Sequence, residues 1–357
     1  MMATESYDVI HFEALGPEAA HLQEETARAM TAGLLPPGHR CLITPLTVQS
    51  LLEADPGLPL PGLVTTKTHS VLPDRYVAEG GKGVVTRSAG YDHLENLAGR
   101  LHVASLRDYC VDAVAQTAMK FIYATTGLLN HYCNNARSFD RQACQAFQAM
   151  DGDLTATVFG VGRIGLRIYQ LAQANGLNVQ GVDARAQTLA GTYGGAVRFV
   201  SRDEAIASSD LIINAMNLTR DPASPLHNVG YFSRAYLASA PKPLIFVNVT
   251  RGEIAPEAGL LDLYRAGRIT GMGLDVFSHE AAFTQVLHGE ATGDPDLLAA
   301  QALIGMALER TGNVYVQPHQ GFNSNRAART KAAEAIKHVI AWFRNGGQRF
   351  DEELPYY

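Results

Sequence analysis

The chain has 357 residues, 46% of them hydrophobic, and its 29 Lys and Arg against 35 Asp and Glu leave a net charge of −6. That length suggests two domains of ordinary size with enough apolar content for a sizeable core, and the lack of any basic block argues against a nucleic-acid partner. The start, MMATESYDVIHF, has neither a basic n-region nor a long apolar stretch, and no run approaches the roughly 18 apolar residues of a membrane helix. A cytoplasmic protein with no membrane partner is therefore expected. Cys41, Cys110, Cys133 and Cys144 show no C-x-x-C pairing or metal-ligand spacing, which predicts reduced, buried thiols and no metal.

Residues 1–105 read as a smaller α/β lobe. The pattern predicts a strand over 7–12, a helix over 19–32, short apolar runs at 41–43 and 63–66, and a strand over 83–88. Lys67 follows one of these runs and is either a solvated lysine or a contact for a substrate anion. Ser88, Ala89 and Gly90 form either a plain turn feeding a helix near Asp92 or a row of backbone N–H donors for a carboxylate. Residues 108–132 carry a long helical pattern that could bridge two lobes.

Residues 154–185 read LTATVFGVGRIGLRIYQLAQANGLNVQGVDAR, a strand, three glycines in G-x-G-x-x-G spacing, a helix, a second strand and a terminal acid. Gly160 permits the tight turn, Gly162 lets backbone approach a pyrophosphate, and Gly165 lets the helix pack on the strand. The diphosphate would rest on unpaired N–H groups at the helix start, beside Arg163 and Ile164. Asp183, about 20 residues past the glycines, would accept from the ribose hydroxyls and favours NAD over NADP. Arg185 leaves NADP open, because it could pair with a 2′-phosphate.

Strands are then predicted over 196–200, 210–215, 243–249, 271–276 and 313–316, alternating with helices over 203–208, 258–266 and 294–309. An amphipathic helix over 327–343 closes the chain and should pack on the first lobe. Such alternation predicts α/β architecture with doubly wound parallel sheets, whose ligands sit beyond the carboxyl ends of the strands. At those ends stand Ala215, Met216 and Asn217, Val249 and Thr250, and Asp275, all candidate cofactor contacts. Arg251, Glu280 and His319 stand there too. Arginine could clamp a carboxylate and polarise an adjacent carbonyl, histidine could pass a proton, and glutamate could orient the imidazole and favour its charged form.

Four ordered motifs, VFGVGRIGLRI with Asp183, FVNVTRGEI, GMGLDVFSHE and NVYVQPHQGF, make the chain resemble the D-isomer-specific 2-hydroxyacid dehydrogenases over nearly its full length. Glu280 stands five residues after Asp275, as in that family. The resemblance implies two Rossmann-like lobes, with a coenzyme lobe over 106–320 inserted into a discontinuous substrate lobe of 1–105 and 321–357, substrate in the cleft, and a homodimer through the coenzyme lobe. It implies Arg251 as the binder of the 2-keto acid, His319 as acid/base and cofactor neighbour, Glu280 as its partner and Asp275 at the nicotinamide carboxamide. It also places Ser88, Ala89 and Gly90 on the substrate carboxylate. The lactate-dehydrogenase branch looks closest, because Tyr109 and Phe322 match its substrate-side aromatics. Ala281 and Asn217 depart from the prolines usual there, and 281–312 is an enlarged connection. A NAD(H)-responsive corepressor-like binder and a phosphite-oxidising enzyme share the same scaffold.

Overall fold

Short runs rich in branched apolar residues, buried on both faces, build the first sheet. The computed structural model describes residues 6–356, and within them the chain divides into two units, 6–110 with 323–356, and 111–322. In the first unit, β1 (Val9–His11), β2 (Cys41–Ile43), β3 (Leu63–Thr66), β4 (Gly83–Thr86) and β5 (His102–Ser105) pair in parallel in the order β2-β1-β3-β4-β5. Strand periodicity of two sends Val9, Leu63, Val85 and Ala104 to one face, under the helices Pro17–Thr31 and Ala327–Arg344 through Leu22, Ala29, Ile336, Val339 and Trp342. Ile10, Val64, Val84 and Val103 point the other way, onto Val48, Leu72, Tyr76 and Leu354. Both faces are covered, as parallel sheets require. Each of the buried Val, Leu and Ile side chains contributes about 1.5–3 kcal/mol by its removal from water.

The second unit lies in sequence between the two segments of the first. Its sheet comprises β6 (Thr155–Phe159), β7 (Asn178–Val182), β8 (Leu211–Asn214), β9 (Leu244–Asn248), β10 (Ile269–Leu274) and β11 (Val314–Val316), all parallel, in the order β11-β10-β9-β8-β6-β7. Sequence direction reverses between β6 and β8, the switch point where such sheets bind ligands. Phe159, Ile212, Phe246, Met272 and Leu274 carry one apolar core, joined by Leu260 and Leu303 from flanking helices.

Several local expectations differ from the structure. Residues 196–200 form no strand: only Phe199 bridges Gly181, because Ser201 then starts the helix Arg202–Ser208 through a capping box with Glu204. The long helix expected over 108–132 is two helices, Val111–Thr126 and Leu129–Asn135, broken where Gly127 meets the Tyr123 carbonyl and Leu128 turns left-handed. Near Asp92 the chain makes only a single 3-10 turn, Glu95–Leu97. Of the four cysteines, all free, Cys110 alone is buried, while Cys41, Cys133 and Cys144 are half-buried. The alternating apolar pattern also hid β5 and the short helices Val48–Ala54 and Asp74–Ala78. The enlarged connection holds two helices, Glu280–Leu287 and Pro295–Glu309, the second capped by Asp294 and packed on the helix Glu257–Arg265. Among the described residues, no helix is long and apolar enough to cross a membrane.

Candidate active site

The strand β6 ends in a turn that only glycine can make. Gly160 has φ +83, and a Cβ there would lie 2.7 Å from the Met216 backbone; a Cβ on Gly165 would fall 1.8 Å from the Gly160 carbonyl. Gly162 differs: its backbone is extended and, among the described residues, nothing lies within 4 Å of where its Cβ would point. It is the N-cap of the helix Arg163–Ala174, with no side chain capping the helix N–H groups. Open space above uncapped donors suits a diphosphate. At the end of β7, Asp183 accepts from the Val161 N–H and the Arg185 N–H, each at 2.8 Å. That keeps its carboxylate beside the glycine turn, with Arg185 Nε 3.7 Å away. These residues fit a dinucleotide.

Two asparagines shape the next loops. Asn214, closing β8, donates to Asn248 Oδ1 at 3.0 Å and to Thr250 Oγ1 at 2.9 Å, and accepts from the Met216 N–H at 3.1 Å. Asn248, closing β9, donates to the Arg251 carbonyl at 2.9 Å. The pair therefore ties Ala215, Met216 and Asn217 to the segment of Val249, Thr250 and Arg251. Neither asparagine was singled out from sequence. The signal was there, since a polar amide ending an apolar run such as LIIN or LIFVN must find partners once buried.

Arg251 lies in extended backbone before Gly252, whose Cβ would come within 2.0 Å of Phe277 and Ser278 backbone. That close approach lays the arginine segment along the turn leading to Glu280. Behind the turn, buried Glu257 accepts from the Ser278 N–H at 2.7 Å. Burial pushes its carboxyl up to about 7, Asp296 adding to the effect and Ser278 opposing it. His279 takes φ +50 and starts the helix Glu280–Leu287. Glu280 Oε2 then lies 2.9 Å from His319 Nδ1.

His319 also has φ +50, and its N–H donates to the Asp275 carbonyl at 2.7 Å. Asp275 is buried, and its carboxylate accepts from the backbone N–H groups of Gln320 and Gly321 at 2.8 and 2.9 Å. Arg251, Glu280, His319 and Asp275 thus sit on connected loops at the carboxyl ends of β9, β10 and β11, with half-buried Phe322 just beyond.

The first unit gathers its candidates separately. Lys67 Nζ lies 2.6 Å from Glu18 Oε2, and Arg87, fully buried, donates to Glu18 Oε1 at 2.9 Å. Burial opposes ionisation of Glu18, yet Arg87, Lys331 and Lys67 hold its carboxyl below the usual range. Lys331 lies over the Tyr109 ring at 5.0 Å, and burial lowers its ammonium to about 8. Lys67 and Tyr109 therefore belong to one polar cluster around Glu18. Ser88 Oγ donates to the Gly90 carbonyl at 2.7 Å, which closes the turn holding Ala89.

A family model described as "D-isomer specific 2-hydroxyacid dehydrogenase, NAD binding domain" matches residues 126–321. The chain is 23% identical over 267 residues to the D-specific alpha-keto acid dehydrogenase of Enterococcus faecium, covering 74% of this chain and 77% of that protein. It is 23% identical over 276 residues to the D-lactate dehydrogenase kk1H of Curvularia clavata, covering 76% and 74%. Among solved structures, the fold resembles D-lactate dehydrogenase from Aquifex aeolicus complexed with NAD and lactic acid, with TM-score 0.73, 20% identity and coverage of 95% and 96%. D-2-hydroxyisocaproate dehydrogenase gives TM-score 0.73 at 17% identity, covering 95% and 97%.

Proposed function

Because the chain belongs to the D-isomer specific 2-hydroxyacid dehydrogenase family and carries its NAD-binding domain, we propose that it is an NAD-dependent 2-keto acid reductase, working reversibly as a D-2-hydroxyacid dehydrogenase. The observation that carries this reading is the 2.9 Å His319–Glu280 pair on the NAD-binding unit. The bound nicotinamide supplies the hydride chemistry. With Nδ1 of His319 turned to Glu280, Nε2 is left to give a proton to the developing alkoxide. Arg251 binds the 2-keto acid through its rigid fork and polarises the carbonyl.

The first unit is the substrate lobe in this reading. Backbone of Ser88, Ala89 and Gly90 receives the substrate carboxylate, Tyr109 and Phe322 flank its side chain, and Lys67 meets a second acidic group where the substrate carries one. Gly160, Gly162, Arg163, Ile164, Gly165 and Asp183 hold the adenosine end of NAD. Ala215, Met216, Asn217, Val249, Thr250 and Asp275 line its path to the nicotinamide. The protein works in the cytoplasm as a homodimer through the NAD-binding unit. Supporting the dimer, that unit exposes Phe139 by 82%, Phe147 by 60% and Leu129 by 51%. Leu129 and Phe147 line an apolar depression with Gly127 and Tyr132, a surface that a second copy would remove from water.

The test is consumption of NADH and of NADPH against a panel of 2-keto acids, with formate and phosphite in the oxidative direction. His319→Gln should lower reduction about 10²–10⁴-fold while NADH affinity stays near wild type. Unchanged turnover would remove the histidine assignment. NADH binding with no turnover on any panel member would favour a cofactor-responsive binding protein.

A further inference from the structure

The Asp275 carboxylate receives a third partner that the reading above leaves without a role. Gln317 donates from Nε2 to Asp275 Oδ1 at 2.6 Å. The other end of the same amide accepts from the Lys120 ammonium, which reaches it from the helix Val111–Thr126. An amide between an ammonium and a carboxylate has its orientation set from both ends, since only Oε1 can face the cation and only Nε2 the anion. Oδ1 thus takes the Gln317 amide and the N–H groups of Gln320 and Gly321, while Oδ2 takes Gly321 again at 2.9 Å. All of these donors come from the segment that carries His319. A Cβ on Gly321 would lie 2.4 Å from Oδ2, so this approach of carboxylate to backbone requires glycine at 321.

We propose that Gln317, oriented by Lys120, is a positioning residue for His319. It keeps the Asp275 carboxylate turned onto the 320 and 321 backbone, which holds the left-handed turn that presents the imidazole to Glu280. A histidine at φ +50 does not hold that conformation unaided, and the Asp275 contacts supply the constraint. Electrostatics points the same way. Burial pushes the Asp275 carboxyl up, and the groups opposing it are Gln317, the facing His319, and the Gly321 and Gln320 N–H groups. Gln317 is first among these. Without its donor, Asp275 takes up a proton at higher pH, and a protonated carboxyl both loosens the turn and loses the charge that faces His319.

This inference rests on His319 as the acid, so its test carries a readout that needs no turnover. The variants are Gln317→Leu, which removes the donor, Gln317→Glu, which puts a carboxylate in its place, and Lys120→Met, which frees the far end of the amide. For each, kcat and kcat/KM of keto-acid reduction are followed from pH 5 to 9. The ¹³C carboxyl resonance of Asp275, assigned with Asp275→Asn, is titrated in the protein without substrate. With Gln317→Leu, the low-pH limb of kcat/KM and the Asp275 midpoint should move up together by about half a pH unit or more, with kcat down about tenfold at pH 6 and less at pH 8. Gln317→Glu should move both further, and Lys120→Met less. Melting temperature, read for each variant, separates unfolding from displacement. A drop in kcat that is uniform across pH, with the Asp275 midpoint unmoved, would overturn the proposal. Should wild type turn over no 2-keto acid, the functional reading fails alone, and the Asp275 midpoint in Gln317→Glu still decides whether this amide governs the carboxylate.

Discussion

His319 Nδ1 and Glu280 Oε2 meet at 2.9 Å, although their side chains keep 37% and 43% of their surface exposed. A carboxylate in that position fixes which ring nitrogen points away, and its charge faces the ring. Glu280→Gln keeps an acceptor for Nδ1 and removes the charge. Keto-acid reduction should fall roughly tenfold to a hundredfold. Glu280→Ala should cost more, because it also removes the acceptor for Nδ1. Steady-state kinetics of the two variants checks this, and an equal loss for both would mean that accepting from Nδ1 is not what Glu280 contributes.

The glycines of the dinucleotide turn make distinct demands, so their substitutions should fail in distinct ways. A Cβ on Gly165 would sit 1.8 Å from the Gly160 carbonyl, with no flexible side chain to yield. Gly165→Ala should therefore unfold or severely destabilise the second unit, by more than about 3 kcal/mol. Gly162→Ala meets nothing within 4 Å among the described residues. It should melt within a few degrees of wild type yet bind NADH at least about tenfold more weakly, because the methyl enters the diphosphate's space. Thermal melts beside NADH fluorescence titration distinguish the two, and normal NADH binding by Gly162→Ala would move the diphosphate elsewhere.

What could be read in advance followed from local rules. Apolar periodicity located β6 to β11, and the G-x-G-x-x-G spacing located Gly160, Gly162 and Gly165, because strand pattern and glycine conformation are properties of neighbours in sequence. Glu280 and His319 could be named from motifs, but their contact spans 39 residues and needed the fold. Asn214, Asn248, Gln317 and Glu257 stayed hidden for the same reason. Each acts on a partner far along the chain, and polarity in an apolar context was their only local mark. The strand expected over 196–200 fails because the Ser201 capping box turns the chain away after one bridge, a competition that apolar alternation does not register.

Cofactor choice should turn on Asp183 and Arg185. The Asp183 carboxylate already accepts from Val161 and Arg185 backbone N–H groups and sits 3.7 Å from Arg185 Nε. Removing it should weaken NADH by loss of the ribose acceptor and remove the charge that would repel a 2′-phosphate, leaving Arg185 to pair with that phosphate. Asp183→Ser is expected to shift the NADH-to-NADPH ratio of kcat/KM toward NADPH by about 10²-fold, the combined effect of one lost and one gained charged contact. The double variant with Arg185→Ala should lose the NADPH gain and keep the NADH loss. A double variant as good with NADPH as the single one would show that Arg185 has no part in it.

Glu257 gives the fold a pH dependence of its own. The carboxyl is 2% exposed, Oε1 accepts from Ser278, and Oε2 has no hydrogen-bond partner among the described residues. Burial lifts it from 4.5 to about 7, and Asp296 from the helix Pro295–Glu309 adds repulsion. Folding therefore raises the affinity of this group for its proton. Its contribution is fully present below about 4.5, declines as pH climbs, and is lost once pH passes about 7. By pH 8 the folded state carries a buried charge that costs on the order of 3 kcal/mol. Glu257→Gln keeps an acceptor for the Ser278 N–H and never ionises. In urea unfolding it should match wild type near pH 5 and exceed it by roughly 1–3 kcal/mol at pH 8. A difference that stays the same at both pH values would mean the carboxyl is charged throughout, or neutral throughout, and that the dependence lies with another group.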